Sequence, residues 1–167
     1  LDFVLLKPID SQFFISLKKI NPSGFLEIML GFFLLLFCIR INQINLSLSF
    51  LILSFITIIC SICILYSLWF FISTTTIWFV KTWNAIEVLR SFLYIGRFPL
   101  NSFSFSLRVF FSIFIPIAFI TTIPSEVFLG LSQLWKILLE VIVASVFLIT
   151  SRKFWLFALR FYSSASS

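Results

Sequence analysis

Six acids, three thiols and no histidine are what these 167 residues offer to acid–base or metal chemistry. Cys60 and Cys63 form a C-x-x-C pair and Cys38 lies upstream, all three within apolar runs. A thiolate forms in a polar or cationic setting, and the mixed zinc sites need an imidazole that is missing here. The cysteines therefore read as small buried hydrophobes, and no metal or redox centre is expected. H-E-x-x-H is impossible without histidine and G-x-S-x-G does not occur, so no catalytic residue is expected. The four glycines form no G-x-x-x-x-G-K-[ST]; without that phosphate cradle no nucleotide cofactor is expected. Asp2 and Asp10 read as parts of a solvated face rather than a poised acid pair. That leaves Glu27, Glu126 and Glu140, the ionisable residues closest to long apolar runs. Acids inside a bilayer are functional candidates, although each of these falls near an end of its run, where hydration is cheap.

The elements that must position these acids follow from composition. The chain is 61% hydrophobic and 20% aromatic, with 25 Phe, and only 11% is charged, against roughly 25% in a soluble domain. A soluble fold of this size could not hide so much apolar surface. Period-two alternation, the mark of a membrane barrel, is absent, so helices must satisfy the backbone. An all-α polytopic membrane protein with four transmembrane helices is expected, at residues 25–41, 46–72, 107–123 and 137–155. Residues 1–23, broken by Pro8 and Pro22, read as an interfacial segment. Residues 77–95 carry Lys81, Asn84, Glu87, Arg90 and Tyr94 on one side, as an amphipathic helix in the headgroup plane does. Residues 124–136 are too polar to cross and too apolar to float free, and read as a re-entrant or outer segment. Glu126 lies within it, which makes it the favoured acid for an outer gate. Pro116, inside the third span, is expected to kink it and free a carbonyl that a neighbouring helix or hydroxyl must answer; Pro116 and Pro124 are expected as hinges. Ser47, Ser54 and Ser61 recur every seven residues in the second span. Either they form a small-residue face for helix packing, or each hydroxyl bonds back to its own helix.

Four crossings put both ends of the chain on one side. Lys7, Lys18, Lys19, Lys81, Arg90, Arg97, Arg108, Arg152, Lys153 and Arg160 then share a face, with Arg40 and Lys136 opposite. The positive-inside rule makes the richer face cytoplasmic. The ending "SRKFWLFALRFYSSASS" becomes a membrane-surface anchor, with Arg152, Lys153 and Arg160 on anionic lipid and Trp155 and Tyr162 at headgroup level. Cations interleaved with aromatics also occur in nucleic-acid binders, but these flank membrane spans; lipid phosphate is the simpler anion and no nucleic-acid partner is expected.

Three stretches, "LDFVLLKPID", "GRFPLNSF...LRVFFSIFIPIAFITTIPSEVFLG" and "FWLFALRFYSSASS", together resemble the membrane subunits of ABC-2 type exporters, in a branch once grouped as a domain of unknown function in bacterial and cyanobacterial permeases. The likeness runs along essentially the whole chain, and its specific features are the framework of Pro99, Pro116, Pro124 and Gly130 and the terminal Tyr-Ser-Ser-Ala-Ser-Ser. It implies a six-helix permease in the bacterial plasma membrane with cytoplasmic termini, a coupling element after the second helix and a re-entrant stretch before the sixth. On that scheme this chain supplies helices three to six, is N-terminally truncated and lacks the first two; Leu5, Leu6, Lys7 and Pro8 would touch a separate ABC-type ATPase subunit. A second permease protomer, identical or not, is a further implied partner. The alternative is a polytopic scaffold or assembly factor that transports nothing.

Overall fold

Every regular element is helical among the residues that the computed structural model describes, which are 7–17, 22–41, 47–79, 83–96, 98, 102–113 and 116–162. Leu5, Leu6, Lys18, Lys19, Lys81, Arg97, Pro99 and the terminal 163–167 lie outside the described residues. The chain divides into two compact units, residues 1–46 with 163–167, and residues 47–162.

The first unit holds α1 (Ser11–Leu17) and α2 (Pro22–Ile41). Asp10 serves α1 as its N-terminal cap, its Oδ1 accepting the Phe13 amide at 3.1 Å, which satisfies a donor that the first turn leaves orphaned. Proline opens α2, where its missing N–H costs nothing. Phe25, Leu26, Ile28, Phe32 and Phe33 along α2 are each more than 60% exposed, a surface that hydrocarbon stabilises and water does not.

The second unit is built on α3 (Leu48–Thr75) and α7 (Leu134–Leu159), joined through α4 (Trp83–Ile95), α5 (Phe105–Ile113), a π-helical turn (Ala118–Thr122) and α6 (Ile123–Phe128). At 1.5 Å per residue, the 28 residues of α3 and 26 of α7 measure about 40 Å each, more than a bilayer's hydrocarbon thickness of about 30 Å. Segments Gly24–Ile41, Leu51–Thr75 and Leu134–Leu159 are long and apolar enough to cross a membrane, and Ala118–Phe128 is a shorter apolar helix. The protein is an all-α polytopic membrane protein.

Helices α3 and α7 lie side by side and run parallel. Ser61 meets Glu140, Phe70 meets the Trp155 ring at 5.3 Å, and Trp78 meets Phe157 and Phe161 at 6.4 and 6.0 Å, in the same order along both helices. The seam is made of small residues. Ser54, Thr57, Ser61, Ser67 and Thr74 of α3 are buried, as are Ala144, Ser151 and Ala158, seven apart, on α7. Both uses of the serine stripe hold at once. Ser61 and Ser67 bond back to Thr57 O and Cys63 O at 2.9 and 2.8 Å, and a hydroxyl satisfied within its own helix can face an apolar neighbour at close range. Ser47 falls outside this seam; it is exposed and bonded to Ser49.

Two parallel neighbours need a leg that returns the chain from the end of one to the start of the next. Within the expected third span, 107–123, described helix lies on both sides of Pro116. Helix α5 ends at Ile113 and helical backbone is described again from Ile117, after Pro116. Proline removes an amide and its ring clashes with the preceding turn, and Pro116 itself stands outside helix. Phe111 and Ile117 pack with Phe92 and Ile95 of α4, whereas Ile123 and Val127 pack with Leu53 of α3 and Ile137 of α7. The leg therefore descends along α3 towards its N-terminal end.

Glycine matters at two places on this path. A Cβ at Gly96 would stand 2.9 Å from Ile117 Cγ2, so the end of α4 can approach the start of the π turn only without a side chain. Gly130 takes φ 69°, and with Leu131 it closes α6: the Gly130 amide donates to Val127 O at 3.0 Å and the Leu131 amide to Glu126 O at 2.9 Å. That is the Schellman arrangement, and it turns the chain into α7.

Candidate functional site

Glu140 sits on the second turn of α7 and is wholly buried. Sequence reasoning places it near a span end, where water is at hand. The structure adds that protein rather than water surrounds its side chain, because the π turn with α6 is folded beside α3 and α7. One carboxylate oxygen, Oε1, is 3.1 Å from Ser61 Oγ. The other, Oε2, is buried and has no hydrogen-bond partner among the described residues.

Ser61 is the centre of this node. Its Oγ lies 2.9 Å from Thr57 O in its own helix, 3.0 Å from Phe119 O in the π turn and 3.1 Å from Glu140 Oε1. The need of Phe119 for a side-chain donor follows from the local register. The Ile123 amide bonds to Ala118 O, five residues back; in that register the donor for Phe119 would be residue 124, a proline with no N–H. Pro124 thus strips a carbonyl of its partner, and Ser61 replaces it across the helix pair. The sequence anticipates a freed carbonyl answered by a hydroxyl but assigns it to Pro116. Pro116, buried, breaks the leg, and Pro124, also buried, frees the carbonyl.

Glu126, the acid favoured from sequence, is held otherwise. Its Oε2 accepts Lys136 Nζ at 2.6 Å, with the two side chains 29% and 30% exposed. The pair closes the loop between α6 and α7. Glu27 is exposed on α2. Of the coupling quartet, Lys7 Nζ lies 4.2 Å from the centre of the Phe14 ring and Pro8 is exposed. Among the anchors, Lys153 and Arg160 are exposed and Arg152 and Tyr162 half-buried. Trp155, expected at headgroup level, is buried within the protein. It is 3% exposed because its ring packs edge-on against Phe70 inside the α3–α7 seam. Arg90 bonds Glu87 at 3.1 Å on the exposed side of α4 and lies over Trp69.

Two helical turns further along α3 and α7, an apolar cavity of about 590 Å³ opens between α3, α4 and α7. Leu68, Phe71, Leu89, Phe92 and Phe147 line it, and Asn84 brings an amide. Its walls suit hydrocarbon or an aromatic ring. Among the described residues no group of three or more metal-ligating side chains is found, and no disulfide joins Cys38, Cys60 and Cys63.

The chain matches the family model described as "ABC-2 family transporter protein" over residues 1–166. No curated protein and no solved structure matches it.

Proposed function

The chain belongs to the ABC-2 transporter family and is a membrane permease component of an ABC transporter, and from that premise we propose that it is an export permease whose cycle is driven by a separate ATPase subunit. The observation that carries this reading is the parallel α3–α7 pair with a broken return leg beside it. Helices α3 and α7 are joined along their length by the small-residue seam and by rings from Phe70 to Phe161. The leg at Pro116 and the π turn is the place where backbone can change direction at low cost. A stiff pair and a hinged leg can open alternately to the two sides of a membrane. Glu126, tied to Lys136, would hold the outer end of that leg, with Pro116 and Pro124 as its hinges.

ATP hydrolysis belongs on the partner, since these residues contain no phosphate-binding loop. The partner would push on the interfacial segment at Leu5, Leu6, Lys7 and Pro8, and a second permease protomer would complete the pathway. Both ends of the chain would face the cytoplasm of a bacterium, with Arg152, Lys153 and Arg160 on the anionic inner leaflet.

Co-reconstitution with candidate ATPases from neighbouring reading frames tests the reading. A permease changes ATP turnover, and Lys7→Glu weakens co-purification; unaltered turnover together with unaltered co-purification would favour a scaffold. Thiol labelling of intact cells tests the orientation: Asn42→Cys should react from outside, and Arg90→Cys and Arg160→Cys should be shielded.

A further inference from the structure

Ser61 has one hydroxyl proton and three acceptors within 3.1 Å, namely Thr57 O, Phe119 O and Glu140 Oε1. Thr57 O lies within α3, where the backbone ladder supplies a donor. Phe119 O has lost its backbone donor to Pro124, and Glu140 is wholly buried. If Glu140 were an anion, two demanding acceptors would compete for a single proton, and Oε2 would remain a charged, buried, unpartnered oxygen. A buried charge without a partner is among the costliest things a fold can hold. No cation among the described residues answers it. Lys136, one turn earlier on α7, is held by Glu126 of α6, and the titratable groups of α3 near this level are the thiols Cys60 and Cys63 and the phenol of Tyr66.

We propose that Glu140 is a proton-binding site in the core of the permease and that its proton latches the π turn to α3. With the proton on Oε1, the carboxylic acid donates to Ser61 Oγ and the Ser61 hydroxyl donates to Phe119 O. Each strong acceptor then has a donor, and Oε2 is left as a neutral carbonyl oxygen, which tolerates a missing partner far better than a carboxylate does. When the proton leaves to water admitted through an opened seam, the Ser61 hydroxyl turns to the new carboxylate and Phe119 O loses its donor. The broken leg is then released from α3. The site takes a proton and couples its loss to the freedom of the hinge. This rests on the proposed permease function only in calling the π turn a hinge; the proton itself is read out without transport.

Infrared difference spectroscopy of the full chain in phosphatidylcholine vesicles tests it. At pH 7 the wild type should show the C=O band of a protonated carboxylic acid, Glu140→Gln should lack it, and Ser61→Ala should shift it. Identical spectra for wild type and Glu140→Gln, or a carboxylate band that responds to sodium, would overturn the proposal. Stability supplies a second arm, since the Gln amide can donate to Ser61 as the acid does. E140Q should keep the wild-type unfolding midpoint and Glu140→Leu should lower it; a midpoint lowered equally in both would also count against the latch.

Discussion

Replacing Ser61 by alanine removes one oxygen and leaves the rest of the seam in place. Ser61 is 7% exposed, so water cannot readily take over its bonds. The loss falls on Phe119 O, 3.0 Å away, whose backbone donor is missing because residue 124 is proline, and on the Glu140 side chain at 3.1 Å. Leaving a buried acceptor unsatisfied costs about 1–3 kcal/mol, whereas hydrogen bonds between membrane helices average about 0.6 and reach about 1.7 kcal/mol. We expect Ser61→Ala to cost about 1–1.7 kcal/mol, the upper part of the second range, because the acceptor is a backbone carbonyl with no alternative. Ser67→Ala is the control. Ser67 is also buried on the same helix, at 0% exposed, and bonds at 2.8 Å to Cys63 O, an acceptor inside the α3 ladder, so its loss should cost less than about 0.5 kcal/mol. Detergent-driven unfolding in bicelles, followed by tryptophan fluorescence, measures both. Equal midpoints for the two variants would refute the reasoning, because it assigns the difference wholly to the bond across the helices.

Gly96→Ala should destabilise by about 1–3 kcal/mol through overpacking, since the new methyl would meet Ile117, itself 1% exposed; in the same assay Ile117→Ala should then cost less in the Gly96→Ala background than alone. Trp155→Ala should cost about 3–5 kcal/mol as a buried aromatic truncation, and a neutral result would show that the ring is not packed on Phe70. The Glu126–Lys136 pair is about a third exposed, so a double-mutant cycle through Glu126→Gln and Lys136→Met should return a coupling below about 1 kcal/mol, falling further with salt.

Charge and hydropathy are local properties, and what depends on them was legible along the chain. Apolar runs of bilayer length become α2, α3 and α7, and Ser54 and Ser61 of the seven-residue serine repeat mark the packing face of α3, whereas Ser47 does not. Proline is legible too, since a missing N–H disrupts a helix wherever it occurs, although the sequence does not say which carbonyl is orphaned. That depends on the register of the turn. A π register shifts the consequence of Pro124 onto Phe119, and only a neighbour at the right height can answer it. The two acids look alike along the chain for a related reason. Glu126 and Glu140 both lie near ends of apolar runs, and sequence cannot tell that the first finds Lys136 ten residues on and the second finds Ser61 seventy-nine residues back.

The amino-acid sequence by itself determined the solvent, the helical backbone and the approximate lengths of the helices, because burial in hydrocarbon leaves a peptide chain few other ways to satisfy its amides. Only the tertiary structure decided that α3 and α7 run parallel, that Trp155 faces a helix rather than headgroups, and that one carboxyl is sealed against a broken helix. These outcomes depend on partners distant along the chain, and a hydrogen bond or a ring contact exists only when both sides arrive at the same height.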